Sequence, residues 1–334
     1  MIVFLLIAVF TVSFLITGAI RRYALARQLM DIPNARSSHS VPTPRGGGVG
    51  FVVAFLLALP CVVWLGGVDA RSALAVGIPG LLVAVLGFVD DHGHIAARWR
   101  LLGHFIASAI GLLLLNGLPP VEIAGYLLDL GWMGNVLAVF FLVWMLNLFN
   151  FMDGIDGLAA SEAVFVLLGL AFLYGVTGSA AVWVPLALVL AASAFLIWNF
   201  PPAKIFMGDA GSGFLGITIA VMVLGAGWLN PQFLWSGLIL SAVFVTDSTV
   251  TLIRRLCQRE RVFEAHCTHG YQRAARQYKS HMKVTVAVNA INILWLWPIA
   301  WWAAIEPAGG GTKAVVAYLP LIALALYFKA GARR

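Results

Sequence analysis

Residues 134–158 read GNVLAVFFLVWMLNLFNFMDGIDGL. From Gly134 to Phe149 the run is apolar apart from Asn135 and Asn147, and from Asn150 to Asp156 it turns acidic. A surface helix of a soluble domain carries a charged face along its whole length. This run has none, so it reads as a membrane span that ends in a polar tip. Asn147, Asn150, Asp153 and Asp156 recur at steps of three, a spacing that puts polar groups near one helical face. Gly154 and Gly157 interrupt the tip, where bare backbone can approach a ligand. A helix-capping turn is the bland alternative, but a carboxylate is expensive in hydrocarbon and is kept there only for a task.

The rest of the chain repeats this pattern. Of 334 residues, 61% are hydrophobic and 10% are charged, with a mean hydropathy of +0.94, against about 25% charged in ordinary soluble domains. The fold class expected is all-α: a polytopic membrane protein with about 11 spans, built as a single transmembrane catalytic domain over 1–334. Spans are expected near 2–20, 48–65, 73–89, 101–117, 134–149, 158–175, 180–198, 212–229, 232–253, 284–304 and 314–328. The first is apolar before Arg21 and Arg22, the reverse of a signal peptide's order, so it reads as a retained span with its N-terminus outside.

All of the 21 lysines and arginines except Arg71 and Lys313 fall in one alternate set of loops. That bias assigns the set to the cytoplasm, with loops near 21–47, 90–100, 150–157, 199–211 and 254–283 and a cytoplasmic C-terminus. The net charge of +7 is concentrated on this face, where it suits anionic headgroups and an anionic substrate. Basic residues in membrane-edge loops make nucleic acid a poor partner. Cys61, Cys257 and Cys267 give no disulfide framework. A zinc site at His266, Cys267 and His269 lacks a second ligand pair with the usual spacing.

Five acids lie at span ends on this face: Asp90 and Asp91 in GFVDDHGH, Asp153 and Asp156, and Asp209 in FMGDAGSG. They are too many to neutralise one another and call for a divalent cation. Oxygen-only sites suit Mg²⁺, which takes one or two carboxylates and shares itself with phosphates. Adjacent carboxylates closing span 3 oppose the helix dipole. Asp209 sits before span 8, where free N–H groups at the helix start attract phosphate. The glycine-rich stretch at 46–50, with Arg45 beside it, is a weak candidate anion cradle. The loop with His266, His269, Arg273 and Arg276 reads equally as a basic amphipathic surface helix. Asp247 and Glu162 are buried acids without clear partners. A cation-coupled transporter would carry acids near the bilayer midplane, and a lipid-binding scaffold gives no reason for five.

PTPRGGG (42–48), GFVDDHGHIAARWRLL (87–102), NLFNFMDGIDGL (147–158), NFPPAKIFMGDAGS (199–212) and EAHCTHGYQ (264–272) together resemble the polyprenyl-phosphate N-acetylhexosamine-1-phosphate transferases, the MraY/WecA-like family-4 glycosyltransferases. The details are most similar to the WbpL-type branch that starts O-antigen units. The resemblance implies transfer of a sugar-1-phosphate from a UDP-N-acetylhexosamine to undecaprenyl phosphate with release of UMP, at the cytoplasmic face of the bacterial inner membrane. It implies Mg²⁺, with Mn²⁺ as a substitute, on Asp209 and Asn150. Asp90 resembles the acid proposed to deprotonate the lipid phosphate, and Asp91 a second essential acid. His266 and His269 fall in the family's histidine loop. Asp153, Asp156 and Asn199 resemble nucleotide-pocket residues, with Phe206 against the uracil. Lys204, Arg45, His94, Arg98 and Arg273 are the basic candidates for the substrate's phosphates. Partners are the two substrates and the lipid bilayer, with a homodimer left open. His-Cys-Thr-His replaces a run of three histidines, and His94 replaces the lysine after the acid pair, changes that argue against a muramyl-pentapeptide substrate.

Overall fold

The computed structural model describes residues 1–33, 39, 41–93, 95–260 and 266–333. It is helical apart from two short antiparallel ladders. The helices are α1 (Ile2–Ala26), α2 (Val49–Trp64), α3 (Ala70–Gly93), α4 (Ala97–Leu114), α5 (Gly131–Met152), α6 (Leu158–Val176), α7 (Trp183–Asn199), α8 (Asp209–Leu229), α9 (Pro231–Leu240), α10 (Ala242–Cys257), α11 (Gly270–Tyr278), α12 (His281–Ile291), α13 (Trp297–Ile305) and α14 (Gly310–Tyr327). The ladders pair β1 (Met30–Asp31) with β2 (Thr43–Pro44), and β3 (Val121–Ile123) with β4 (Tyr126–Leu128).

Helices cover all eleven apolar runs, but they are not eleven equal spans. Among the described residues, eight helical stretches are long and apolar enough to cross a membrane, or nine if a bent pair counts as one. α2 is shorter, and α4 opens on Arg98 and Arg100. The run expected as one span at 232–253 is broken, with α9 and α10 meeting at 67°. Ser241 sits at the break, its hydroxyl donating back to the Gly237 carbonyl at 3.1 Å, an arrangement that bends helices, while the nearest acceptor for the Ser236 hydroxyl is the Ala300 carbonyl at 2.9 Å. α12 and α13 are joined through a π-helical segment, Asn292–Leu296.

α8 runs through the middle of the bundle, against α3, α5, α6 and α9. It is apolar all round, and nearly every residue from Ala210 to Gly227 is buried, as expected of a helix enclosed by others. Its first residue, Asp209, therefore opens the best-enclosed helix of the fold.

α1 ends where Arg21 donates from Nε to the Lys204 carbonyl at 3.2 Å. The C-terminal segment returns to the same end, where Gly331 N–H bonds the Thr268 carbonyl at 2.8 Å. The two chain termini thus lie at opposite ends of the bundle. At the end where α1 begins, the β3–β4 hairpin is latched by Glu122, whose carboxylate accepts from Gly309 and Gly310 at the start of α14. The basic residues expected on that side are both tied down. Arg71 donates to the Leu113 carbonyl at 3.2 Å, and Lys313 pairs with Glu306 at 3.2 Å.

Candidate active site

The adjacent acids closing α3 avoid repulsion by diverging. Asp91 turns to the start of α8 and accepts from the Asp209 and Ala210 N–H groups at 3.0 and 3.4 Å. A carboxylate is favourable at this positive end of a helix. The expected phosphate-binding N–H groups are thereby corrected: Asp91 already occupies them. Two glycines make the approach possible. A Cβ on Gly87 would sit 2.5 Å from the Asp209 backbone. Gly208 has φ +82°, and a Cβ there would meet the Asp91 carboxylate at 2.8 Å.

Two arginines bracket Asp209. Arg45 Nη2 lies 2.6 Å from Asp209 Oδ1 and 3.0 Å from Asp91 Oδ1. Arg100 Nη1 pairs with Asp90 Oδ2 and lies 3.8 Å from Asp209 Oδ2. The other Asp90 oxygen accepts from Ile95 N–H at 2.8 Å. Arg45 is carried in by the glycine stretch, but Gly47 and Gly48 N–H bond the Phe206 and Met207 carbonyls at 2.9 Å. These glycines staple α2 to the α8 start and do not cradle an anion, because their donors are spent.

The α5 tip reaches the same place. Asn150 Nδ2 donates to Ser212 Oγ, on the first turn of α8, at 3.2 Å. Asp153 caps α5. Withdrawal from water holds its carboxyl well above the usual carboxylate range, and Asp209, Asp91 and Asp156 push it further while Arg45 opposes. Asp156 sits lower than usual. Burial raises it, but His281 and the Ala203 N–H outweigh that, at 3.1 and 3.0 Å. Asn199 is 3% exposed, accepts from Gly157 N–H and donates to the Ile205 carbonyl, so it binds two loops together.

The histidine loop is anchored by Asp247, which therefore does have partners. Its carboxylate accepts from Gly270 and Tyr271 N–H at 2.9 and 2.8 Å, capping α11, and lies 3.1 Å from His269 Nδ1. His266 stacks on His269 with ring centroids 4.8 Å apart. Burial, with help from His269 and Arg255, pulls the His266 imidazole down to about 3, so it stays neutral near pH 7. Tyr271 Oη donates to the Phe151 carbonyl at 2.8 Å, docking the loop beside the α5 tip. The sequence contained Asp247 but no spacing that linked it to a loop over twenty residues away.

A cleft of about 570 Å³ opens beside Asp156, between Phe206, His39, Arg276 and His281. Phe206 meets His39 edge-on at 4.8 Å. Of the other basic candidates, Lys204 is exposed with its ammonium over Trp198, and Arg98 is exposed over Trp99. Arg273 bonds the Ala332 carbonyl. None of these contacts brings Lys204, Arg98 or Arg273 to the carboxylates, and His94 lies outside the described residues. The structure brings in Arg100, Arg276 and His281 instead.

No group of three or more His, Cys, Asp or Glu forms a dedicated metal cage among the described residues. The donor chemistry nonetheless fits a hard cation that keeps most of its shell for water and phosphate. No side chain hydrogen-bonds Asp153 among the described residues, and burial together with neighbouring carboxylates disfavours its charge. The oxygen donors at hand are Asn150, Asp153 and the Asp209 carboxylate, which Arg45 holds through Oδ1.

Apolar helices that gather carboxylates, guanidinium groups and an aromatic cleft at one end define an integral membrane protein with a charged site at one end of its helical bundle. The family model for Glycosyl transferase family 4 matches residues 73–227. The chain is 30% identical over 304 residues to a probable undecaprenyl-phosphate N-acetylglucosaminyl 1-phosphate transferase of Bacillus subtilis, covering 86% of this chain and 82% of that one. It is 28% identical over 327 residues to a decaprenyl-phosphate N-acetylglucosaminephosphotransferase of Mycobacterium tuberculosis, covering 88% and 79%. It is 33% identical over 221 residues to a phospho-N-acetylmuramoyl-pentapeptide-transferase of Gloeothece citriformis, covering 62% and 58%. The chain belongs to glycosyl transferase family 4 and is a transferase.

Proposed function

We propose that the enzyme transfers an N-acetylhexosamine-1-phosphate from a UDP-sugar to undecaprenyl phosphate, giving the undecaprenyl-diphosphate sugar and UMP. This is a first membrane step in making a cell-envelope glycan, in the manner of the WbpL-type, O-antigen-initiating branch. The observation that carries the reading is the meeting of Arg45, Arg100, Asp90, Asp91 and Asp209 at the start of α8. The activities for which the Bacillus and Mycobacterium relatives are named support it.

In this reading the eleven helical runs all cross the bacterial inner membrane, and the acid-bearing end faces the cytoplasm. The lipid phosphate comes from the bilayer and the UDP-sugar from the cytosol. Phosphoryl transfer mostly needs alignment and charge neutralisation. An oxygen of the lipid phosphate attacks the sugar-bearing phosphorus, and the bond to the bridging oxygen breaks with its electron pair leaving on UMP. Arg45 and Arg100 offer guanidinium donors to the phosphates. Asp90 fixes Arg100. Both Asp90 oxygens are engaged, and a phosphate monoester with a second pKa of about 6 is already largely dianionic at pH 7. Asp90 therefore orients and does not need to take a proton. Phe206 and the cleft beside Asp156 receive the uridine. Mg²⁺ held by Asp209, with Asn150 and Asp153 near it, would neutralise the diphosphate charge.

Purified protein, undecaprenyl phosphate, Mg²⁺ and a panel of UDP-N-acetylsugars, scored for UMP, test the reading. Release from one sugar is expected, with Asp209→Asn lowering it by roughly 10²-fold or more while the protein still inserts. No release from any sugar, or near-normal turnover of that variant, overturns the function or the metal assignment respectively.

A further inference from the structure

Glu162 and Asn292 are 1% and 0% exposed and lie in the apolar part of the bundle. Asn292 Nδ2 donates to Glu162 Oε2 at 2.6 Å. Glu162 Oε1 and Asn292 Oδ1 have no hydrogen-bond partner among the described residues, and a polar pair is costly to bury in this state without a purpose. The pair is the deep end of a polar stripe. His281, Thr285, Asn289 and Asn292 lie at steps of four, four and three, one face of a helix. Each faces a partner on α6 or the turn before it. His281 Nδ1 lies 3.1 Å from Asp156 Oδ1, Thr285 Oγ1 donates to the Asp156 carbonyl at 2.9 Å, and Asn289 Nδ2 donates to Ser161 Oγ at 3.1 Å. The π-helical segment begins at Asn292 itself, so the lock sits where the helix is least regular.

The geometry points to Glu162 and Asn292 as positioning residues that fix the register of α12 on α6 and thereby hold His281 and the Ser280–Met282 wall of the cleft in place for the nucleotide. Neither touches the cleft, whose lining includes Asp156, Ser280, His281 and Met282. Both act through the stripe. Hydrophobic packing alone would leave α12 free to slide or turn in lipid, where apolar side chains gain little by choosing one register. The inference rests on the transferase reading.

The test is steady-state kinetics of the full-length protein with both substrates varied. Asn292→Ala is expected to raise KM for the UDP-sugar about tenfold or more, with KM for the polyprenyl phosphate within about twofold of wild type. Glu162→Gln retains an oxygen that can accept from Asn292, and is expected to stay within about twofold of wild type for both. A UDP-sugar KM unmoved by Asn292→Ala, or a fall in kcat with the folded fraction and no split between substrates, overturns the lock. Should Asn292→Ala not accumulate, Asn289→Ala removes the partner of Ser161 and is judged by the same outcomes. A wild-type protein that releases no UMP from any sugar overturns the transferase reading and the lock together. An active wild type with an unmoved KM overturns the lock alone.

Discussion

At the scale of single residues, similar side chains have been sorted into different tasks by what they touch. Arg98 and Arg100 are two positions apart on α4, so they cannot face the same way. Arg98 lies over Trp99, while Arg100 joins Asp90 and approaches Asp209. Arg100→Ala is expected to lower kcat/KM by about 10²-fold, the scale of a lost charge-stabilising donor. Arg98→Ala should stay within about twofold. Comparable losses in the two would show that proximity to Asp209 is not what matters. Asp90 tests a different point. If it orients Arg100, Asp90→Asn lowers activity without changing the shape of the pH–rate profile, because the nucleophile's own ionisation near pH 6 is untouched. Recovery of the variant as pH rises would instead assign proton removal to Asp90. The sequence showed which acids were present, but not that Asp91 was spent on a helix end or Asn199 on two loops.

At the scale of elements, the site depends on how closely α3 can pass the start of α8. Gly87 permits that approach and Asp91 secures it. Gly87→Ala places a methyl group against the Asp209 backbone, where no flexible side chain can yield. Overpacking of this kind costs about 1–3 kcal/mol, and the shift falls on Asp209 itself. The expected result is a lower Tm in detergent and a larger proportional loss of activity than of folded protein. An active, equally stable Gly87→Ala would show that the two helices separate without consequence. The break between α9 and α10 belongs here too. Hydropathy made one span of 232–253, since serine back-bonding hardly affects hydropathy yet bends a helix. Asp247 on α10 then reaches the histidine loop and caps α11, a contact that no local spacing encodes.

At the scale of the whole molecule, the order of helices carries sequence-distant motifs to one end. The proposed function puts that end in the cytoplasm, as the charge bias leads one to expect, and single-cysteine variants test it. Leu127→Cys on the exposed β3–β4 hairpin should react with an impermeant maleimide on intact spheroplasts. Lys329→Cys, beside the returning C-terminal segment, should react only after the membrane is opened. The reverse pattern would invert the enzyme and remove its access to a cytosolic UDP-sugar.

By itself the chain's composition determined a helical membrane protein, because long apolar runs have no other stable form in lipid. Its span-end motifs, through their resemblance, indicated the family and most of the carboxylates. Only the tertiary structure decided which polar groups remain available. Hydrogen bonds between residues far apart in sequence occupy Asn199, the glycine N–H groups and the start of α8, and the packing of the helices brings Arg100, Arg276 and His281 to the site. Such pairings depend on how helices cross, and crossing is set by packing of whole surfaces, which no short stretch of sequence contains.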